Sequence, residues 1–178
     1  MHIHVTGKVK WERRSLSMKT ELAHWWRIFL GIGDEPRRGA LDILRQRYVD
    51  ESQHARQFKR HAGEMHYPQF REKLLHIAAE ETEHAGLLAK KIFDLGGKLP
   101  EVTGERTPTE QSSWQHLLKH LNEEGHCDGE LMEQIWAVAT DYPDIAALLE
   151  QISKEEKKHS DEIREMLMRS DAFAGSLA

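Results

Sequence analysis

Hydrophobic residues recur at steps of three and four along four stretches of this chain, and proline or glycine separates the stretches. Such spacing is typical of an amphipathic α-helix with one buried face. No stretch alternates polar and apolar residues in the manner of a β-strand. We therefore predict an all-α fold with long helices over residues 40–65, 68–95, 113–141 and 143–168.

The connections between these helices differ greatly in length. Tyr67-Pro68 and Tyr142-Pro143 predict two tight turns, because the residue before a proline is disfavoured in the helical region. Residues 96–112 form a 17-residue connection with two prolines and three glycines. When extended it spans about 55 Å, more than the roughly 39 Å of a 26-residue helix. Short, long and short connections predict a four-helix bundle with one long crossover.

We expect the bundle to occupy residues 40–169, preceded by an extension at 1–39 and followed by a flexible tail at 170–178. The extension carries a predicted short amphipathic helix at 15–31, with Leu22, Trp25, Trp26 and Phe29 as its apolar residues. Trp25 and Trp26 could contact a membrane surface. Packing on the bundle or in a dimer is the interpretation we favour for both tryptophans.

The second and fourth predicted helices repeat each other at an offset of 75 residues. Each has a stripe of apolar residues, and two polar residues lie in the middle of each stripe. These polar residues are Glu81 and His84 in the second helix, and Glu156 and His159 in the fourth. A leucine would be expected at such core-facing positions. The repeat therefore predicts two Glu-x-x-His pairs that face the centre of the bundle.

A buried carboxylate costs several kcal/mol unless it is neutralised. Glutamate and histidine one helical turn apart point the same way and can hold one cation together. Two facing pairs would make a two-metal site, and Glu51 falls on the stripe of the first helix at the same height. On the third helix, Glu124 lies on the stripe and Glu123 lies one position away. Either of the two could face inward.

Other candidate residues rank below these. His54 and His126 lie beside their stripes and are weaker candidates for metal ligands. Tyr48 is one turn from Glu51 and could form a hydrogen bond to the site, although core packing explains it equally well. Cys127 is expected to be a buried, inert thiol.

Composition narrows the class of protein. The chain has 178 residues, 39% of them hydrophobic, and a net charge of −5 from 25 Lys+Arg and 30 Asp+Glu. The acidic balance argues against nucleic acid as the partner. One cysteine excludes an internal disulfide and an iron–sulfur cluster held by this chain alone. No apolar stretch reaches the ~20 residues of a membrane-spanning helix, and no export signal is evident, so we expect a cytoplasmic protein.

The four helices, the crossover and the two Glu-x-x-His motifs resemble the ferritin-like di-iron carboxylate superfamily. Within it the chain is most similar to the rubrerythrin branch, through the segments DESQ at 50–53, EETEHA at 80–85 and EEKKH at 155–159. The resemblance covers residues 40–168. It implies two iron ions per chain, with manganese or a mixed pair as alternatives.

The resemblance also assigns roles to residues. Glu81 and Glu156 would be bridging carboxylates, and His84 and His159 would each be a terminal ligand to one metal ion. Glu51 and one of Glu123 or Glu124 would complete the metal shells. The catalytic residues are then Glu51, Glu81 and Glu156. Glu51 precedes Glu81 by 30 residues, whereas Glu123 precedes Glu156 by 33, the spacing usual in the family.

The implied activity is reduction of hydrogen peroxide or O₂ by a di-iron oxidoreductase, as a peroxidase or a ferroxidase. Electrons would come from a separate donor protein, because the single cysteine excludes a rubredoxin domain. A homodimer or higher homo-oligomer is expected. Three other functions stay open, namely iron storage or encapsulated cargo, di-iron hydroxylation, and a non-catalytic metal-binding bundle.

Overall fold

The computed structural model describes residues 34–103 and 113–170, without the side chains of residues 123–128. These residues form four α-helices and no strand. The helices are α1 (Glu35–Glu64), α2 (Pro68–Asp94), α3 (Ser113–Ala139) and α4 (Pro143–Arg169). The helix predicted at residues 15–31 and the tail at 171–178 lie outside the described residues. Among the residues that are described, no helix has the length and apolar character required to cross a membrane.

Proline marks the start of three of the helices. Pro68 and Pro143 occupy the first turn of α2 and α4, where the missing N–H group would have no helical partner in any case. The start of α1 differs from the prediction by five residues, because Pro36 lies in its first turn and does not end a preceding element. A proline after the first residue of a helix is compatible with helical φ, so it starts α1 instead of breaking it.

The C-terminus of α2 turns into the crossover through two glycines. Gly96 has a φ of 71°, a left-handed conformation that favours glycine. The N–H of Gly97 donates to the carbonyl of Ile92 at 2.8 Å, and the N–H of Gly96 donates to that of Phe93 at 2.8 Å. This pattern satisfies carbonyl groups that the end of a helix leaves without partners.

The described part of the crossover runs along α1. Arg45 donates from Nε to the carbonyl of Lys98 at 3.2 Å, and Arg56 donates from Nη1 to the carbonyl of Val102 at 3.1 Å. The two arginines are three turns apart on α1. The crossover therefore travels beside α1 towards the end of the bundle where α3 begins.

The helices pair in an antiparallel arrangement across the bundle as well as through the two tight turns. Residues near the start of one helix contact residues near the end of its partner, which fixes the relative direction of each pair. The pairs are Arg47–Gln134 and His61–His120 between α1 and α3, and Lys73–Glu165 and Lys91–Asp144 between α2 and α4.

The hydrophobic core has two separate halves. One half contains Leu44, Leu88, Ile135, Leu149 and Ile152 together with their neighbours. The other half contains Phe58, Leu74, Ile77, Leu117 and Ile163 together with theirs. Each fully buried aliphatic side chain contributes roughly 1.5–3 kcal/mol through loss of contact with water. Between the two halves, polar side chains occupy the middle of the bundle.

Candidate metal centre

Four side chains from three helices converge between the two halves of the core. Glu51, Glu81, His84 and Glu156 each offer one ligand atom, and these atoms all lie within 4.8 Å of one another. All four residues are buried, with exposed fractions of 3%, 0%, 2% and 9% in that order. Three carboxyl groups and an imidazole in so small a dry space require protons or cations to neutralise them.

The helical stripes bring these residues to one height. Glu81 and His84 lie between the buried residues Ala78 and Leu88 of α2. Glu156 and His159 occupy the same positions in α4, between Ile152 and Ile163. Glu51 lies between the core residues Leu44 and Phe58 of α1. Positions three and four apart share one face of a helix, so each stripe continues through the polar layer without a change of direction.

His84 contacts carboxylates with both ring nitrogens. Its Nδ1 is 3.1 Å from Oε2 of Glu51 and 3.9 Å from Oε1 of Glu156, which are members of the converging group. Its Nε2 is 2.6 Å from Oε2 of Glu155, which lies on the outer side of the ring. One nitrogen therefore faces the centre of the cluster, and the other is held by a carboxylate of the opposite helix.

His159 repeats this arrangement from the other helix. Its Nε2 is 2.9 Å from Oε2 of Glu80, and its Nδ1 is 3.0 Å from Oε1 of Glu81. Among the described residues, this Nδ1 has no contact with hydrogen-bond geometry. The Nδ1 of His159 and the Oε1 of Glu81 thus face each other as two ligands of one ion would. The ring centroids of His84 and His159 are 6.1 Å apart.

The carboxyl groups of the cluster share protons in this metal-free form. Burial raises the pKa of Glu51, but hydrogen bonds with His84 and Glu81 and the charge of His84 outweigh it, so the pKa is lowered overall. A hydrogen bond between two carboxyl groups needs a proton on one of them. Since the pKa of Glu51 is lowered, that proton resides on Glu81.

The two histidines differ in charge. Burial lowers the pKa of His84, but its bonds to Glu51 and Glu155 raise it more, so the net shift is upward. Burial lowers the pKa of His159, and the contact with Glu80 does not compensate. A cation bound between the Nδ1 atoms would replace the protons of this cluster, because metal ligands must be deprotonated.

The donor set fits divalent iron or manganese. Carboxylate oxygens and imidazole nitrogens in a mixed set suit both of these ions, whereas zinc structural sites favour cysteine. Each inward nitrogen is backed by a carboxylate on the outer nitrogen, an arrangement that fixes the tautomer of a metal-bound histidine. The residues present could therefore hold metal ions without rearrangement of the bundle.

The structure does not place every predicted site residue. The side chains of Glu123, Glu124, His126 and Cys127 lie outside the described residues, so the contribution of the third helix stays a prediction. His54 is half-buried one turn after Glu51, and its Nδ1 has no hydrogen bond within the described part of the chain. Tyr48 packs against one half of the core.

Sequence reasoning missed the role of Glu80 and Glu155. Both residues are only partly buried and lie beside the apolar stripe, so periodicity gives them no emphasis. They are nevertheless related by the same offset of 75 residues as the Glu-x-x-His pairs. Extending the repeat by one position in each helix would have indicated a second pair of functional carboxylates.

Comparisons with known proteins support the helical architecture. The family model described as a ferritin-like domain matches residues 40–172. Among solved structures, the chain is similar to the bacterioferritin of Desulfovibrio desulfuricans, described with its diiron site in different catalytic states. That match has a TM-score of 0.68 and 21% sequence identity, and covers 76% of this chain and 81% of the other. At this identity the likeness shows the fold. No curated protein sequence matches the chain.

Proposed function

The chain belongs to the ferritin-like family, and we propose that its glutamate–histidine cluster is a dinuclear iron site that reduces hydrogen peroxide or O₂. The observation that carries this proposal is the convergence of Glu51, Glu81, His84 and Glu156 within 4.8 Å in the buried centre of the bundle. Narrower similarity to rubrerythrins, and the identity of the metal, stay predictions.

The chain's own residues would divide the work of holding two ions. Glu81 and Glu156 project from α2 and α4 towards each other, and we assign them as bridging carboxylates. His84 and His159 each present Nδ1 to the cluster, and we assign each to one ion. Glu51 would bind from α1, and Glu123 or Glu124 would bind from α3.

The outer carboxylates would control the protons of the ligands. Oε2 of Glu155 accepts from Nε2 of His84, and Oε2 of Glu80 accepts from Nε2 of His159. Each bond keeps the proton on Nε2 and leaves the lone pair of Nδ1 for the metal. The two halves of the hydrophobic core exclude bulk water above and below the cluster.

Two ferrous ions in this site would supply electrons to peroxide or O₂. The residues around them would fix the geometry and leave coordination positions for the small substrate. A separate donor protein would return the electrons, because the single cysteine cannot form a second redox centre within the chain. A homodimer or higher homo-oligomer stays a prediction.

Iron storage is a second candidate function. The similar bacterioferritin is described with a diiron site in different catalytic states, and a ferroxidase site of that kind would also serve storage. Encapsulation as a cargo protein would depend on residues 173–177, which lie outside the described residues. Hydroxylation and non-catalytic metal binding would use the same ligands.

Anaerobic titration of the full-length chain with Fe(II), followed by mixing with H₂O₂ or O₂, tests the proposal. We expect binding to saturate at two ions per chain, with rapid oxidation by one or both oxidants. Glu81→Ala and His159→Ala should abolish this oxidation while the far-ultraviolet circular dichroism stays helical. Glu83→Ala is the matched control, because Glu83 is exposed on the same helix as Glu81.

The outcomes separate the candidate functions. Turnover with an added electron donor and no iron accumulation supports a peroxidase. Continued uptake of many ions per chain, together with a large particle, supports storage. Unchanged oxidation in both Glu81→Ala and His159→Ala, or failure to bind Fe(II), would contradict the site assignment itself.

A further inference from the structure

Three buried histidines form a second cluster between α1 and α3, in the other half of the bundle from the turn at Tyr142. His61, His116 and His120 have exposed fractions of 0%, 2% and 2%. The Nδ1 of His61 is 2.6 Å from the Nε2 of His120. The rings of His61 and His116 are stacked, with centroids 3.9 Å apart and an interplanar angle of 4°. None of these residues takes part in the dinuclear centre described above.

The spacing of these residues on their helices is that of metal chelation. His116 and His120 are four residues apart on α3, so they lie on one face one turn apart. Two histidines at this spacing on a helix form the zinc-binding pair of many metalloproteases. His61 reaches the same place from α1, and Glu64 follows it by one turn on the same face. Two helices thus each supply a pair of potential ligands or supporting groups.

A hydrogen-bonding deficit also points to a ligand at this place. The Nδ1 of His116 is buried and has no hydrogen-bond partner among the described residues. Its Nε2 is 3.6 Å from Oε2 of Glu64, whose side chain is 35% exposed. A buried polar atom without a partner is destabilising by about 1–3 kcal/mol. A cation on Nδ1 would satisfy that atom, with Glu64 supporting the other side of the ring.

The charge state of the cluster favours metal binding. Burial lowers the pKa of His61 to about 3, with further lowering by the charges of His116, Arg60 and Lys119. Burial likewise lowers the pKa of His116 and of His120. Near neutral pH all three imidazoles are therefore uncharged, the form that binds metals. Arg60 and Lys119 oppose a bound cation, and the carboxylate of Glu64 offsets part of that repulsion.

We propose that His61, His116 and His120 form a mononuclear site for a divalent transition-metal ion of the zinc type, separate from the dinuclear centre. Three imidazoles with one open position are a common zinc donor set. The hydrogen bond between His61 and His120 must open for the ion to enter. Its proton moves to the outer nitrogen of the same ring, so both facing nitrogens keep lone pairs and no net proton is lost.

The proposed site is distant from the dinuclear centre. His61 follows Glu51 by ten residues of continuous helix, or about 15 Å along α1. Substitutions at one site should therefore leave the ligands of the other in place. This separation allows the two sites to be tested independently, whatever the outcome at the dinuclear centre.

The test uses the full-length chain with Glu81→Gln and Glu156→Gln, which disable the dinuclear centre. After removal of metal, the protein is titrated with Zn²⁺ in competition with a chromogenic chelator. We expect one tightly bound Zn²⁺ per chain in this background. Adding His116→Gln and His120→Gln should abolish that equivalent. His76→Gln is the matched control, because the His76 side chain is 72% exposed and lies outside the cluster.

X-ray absorption at the zinc edge, on the background protein alone, gives a second readout that needs no further variant. We expect scattering from two or three imidazole rings. Failure to bind Zn²⁺, a metal shell without imidazole, or binding unchanged by His116→Gln and His120→Gln would each overturn the proposal. If the last two substitutions impair folding, the absorption spectrum decides the question.

Discussion

His84 on α2 and Glu155 on α4 lie 2.6 Å apart across the bundle, with Nε2 of the histidine against Oε2 of the carboxylate. His159 and Glu80 form the reciprocal contact at 2.9 Å. Each helix therefore contributes a histidine to the cluster and a carboxylate that orients the histidine of the other helix. The internal repeat accounts for this reciprocity, because both contacts join positions related by the same offset of 75 residues.

The reciprocal contacts predict that removal of either outer carboxylate weakens metal binding. In Glu155→Gln the amide no longer draws the proton of His84 to Nε2 as strongly, and the same holds for His159 in Glu80→Gln. Loss of such a supporting group usually reduces metal affinity by about 10–100-fold. Competition titration with Fe(II) or Mn(II) measures the effect.

Exposed glutamates provide the controls for this prediction. Glu83→Gln on α2 and Glu150→Gln on α4 make the same charge change away from the cluster, since both residues are exposed. Their affinities should equal that of the unmodified chain. A drop of the same size in these controls would mean that general charge, and not the contact with histidine, sets the affinity.

The buried carboxyl groups predict that metal binding and stability of the metal-free chain oppose each other. Glu81 is fully buried beside Glu51 and shares a proton with it. In Glu81→Gln the amide can donate to Glu51 without that proton, so a carboxyl group leaves the dry interior. Such replacements are often neutral or stabilising by about 1–4 kcal/mol. We expect Glu81→Gln to unfold at the same or a higher temperature than the unmodified chain when metal is absent.

Metal should reverse that order. A ligand at 100 times its dissociation constant stabilises the folded state by about 2.7 kcal/mol. Addition of Mn(II), which avoids oxidation chemistry, should raise the Tm of the unmodified chain and leave that of Glu81→Gln unchanged. A large loss of metal-free stability in Glu81→Gln would show that the carboxyl group supports the fold itself.

Much of the fold follows from periodicity, and so does the placement of the central polar residues. The steps of three and four that place Leu74 and Ile77 in the core continue directly through Glu81 and His84. The same pattern cannot show which polar residues near a helix are buried by a neighbouring helix. Arg47, Gln57 and His61 lie beside the stripe of α1, and all three are buried.

These omissions have a physical cause. A bundle helix contacts two neighbours, so its buried face is wider than the single stripe that points to the centre. The crossover and α3 cover a second face of α1, where Arg47 donates to Gln134 at 2.6 Å and His61 meets His120. The sequence of α1 alone does not reveal which flank is covered. The start of α1 was misplaced because Pro36 suits a first turn as well as it suits a loop.

Two glycines are predicted to respond to alanine in opposite directions. Gly86 lies within α2, and a Cβ atom there would meet nothing within 4 Å. Gly86→Ala should therefore stabilise the chain by about 0.5–1 kcal/mol. Gly96 has a φ of 71° at the end of the same helix, and Gly96→Ala should destabilise it by about 1–2 kcal/mol. Urea unfolding of both variants measures the difference, and equal effects would contradict the left-handed geometry at Gly96.

The buried imidazoles predict a loss of stability in mild acid. The pKa of His61 falls from 6.5 to about 3 in the folded chain, chiefly through burial. Above pH 6.5 neither the folded nor the unfolded chain protonates this ring, so its full stabilising contribution is present. As the pH falls from 6.5 towards 3, only the unfolded chain takes up the proton. The free energy of unfolding then decreases by about 1.4 kcal/mol per pH unit.

His61→Gln isolates this contribution, because glutamine does not titrate and can still hydrogen-bond to His120. Between pH 7 and pH 5 the free energy of unfolding should fall by about 2 kcal/mol less in the variant than in the unmodified chain. Urea denaturation in the presence of a chelator measures this difference without interference from metal release. Parallel pH profiles would mean that the unmodified chain takes up a proton at His61 while folded, which is incompatible with an uncharged ring buried between α1 and α3. The slope of the profile therefore reports the charge state on which metal binding by this cluster depends.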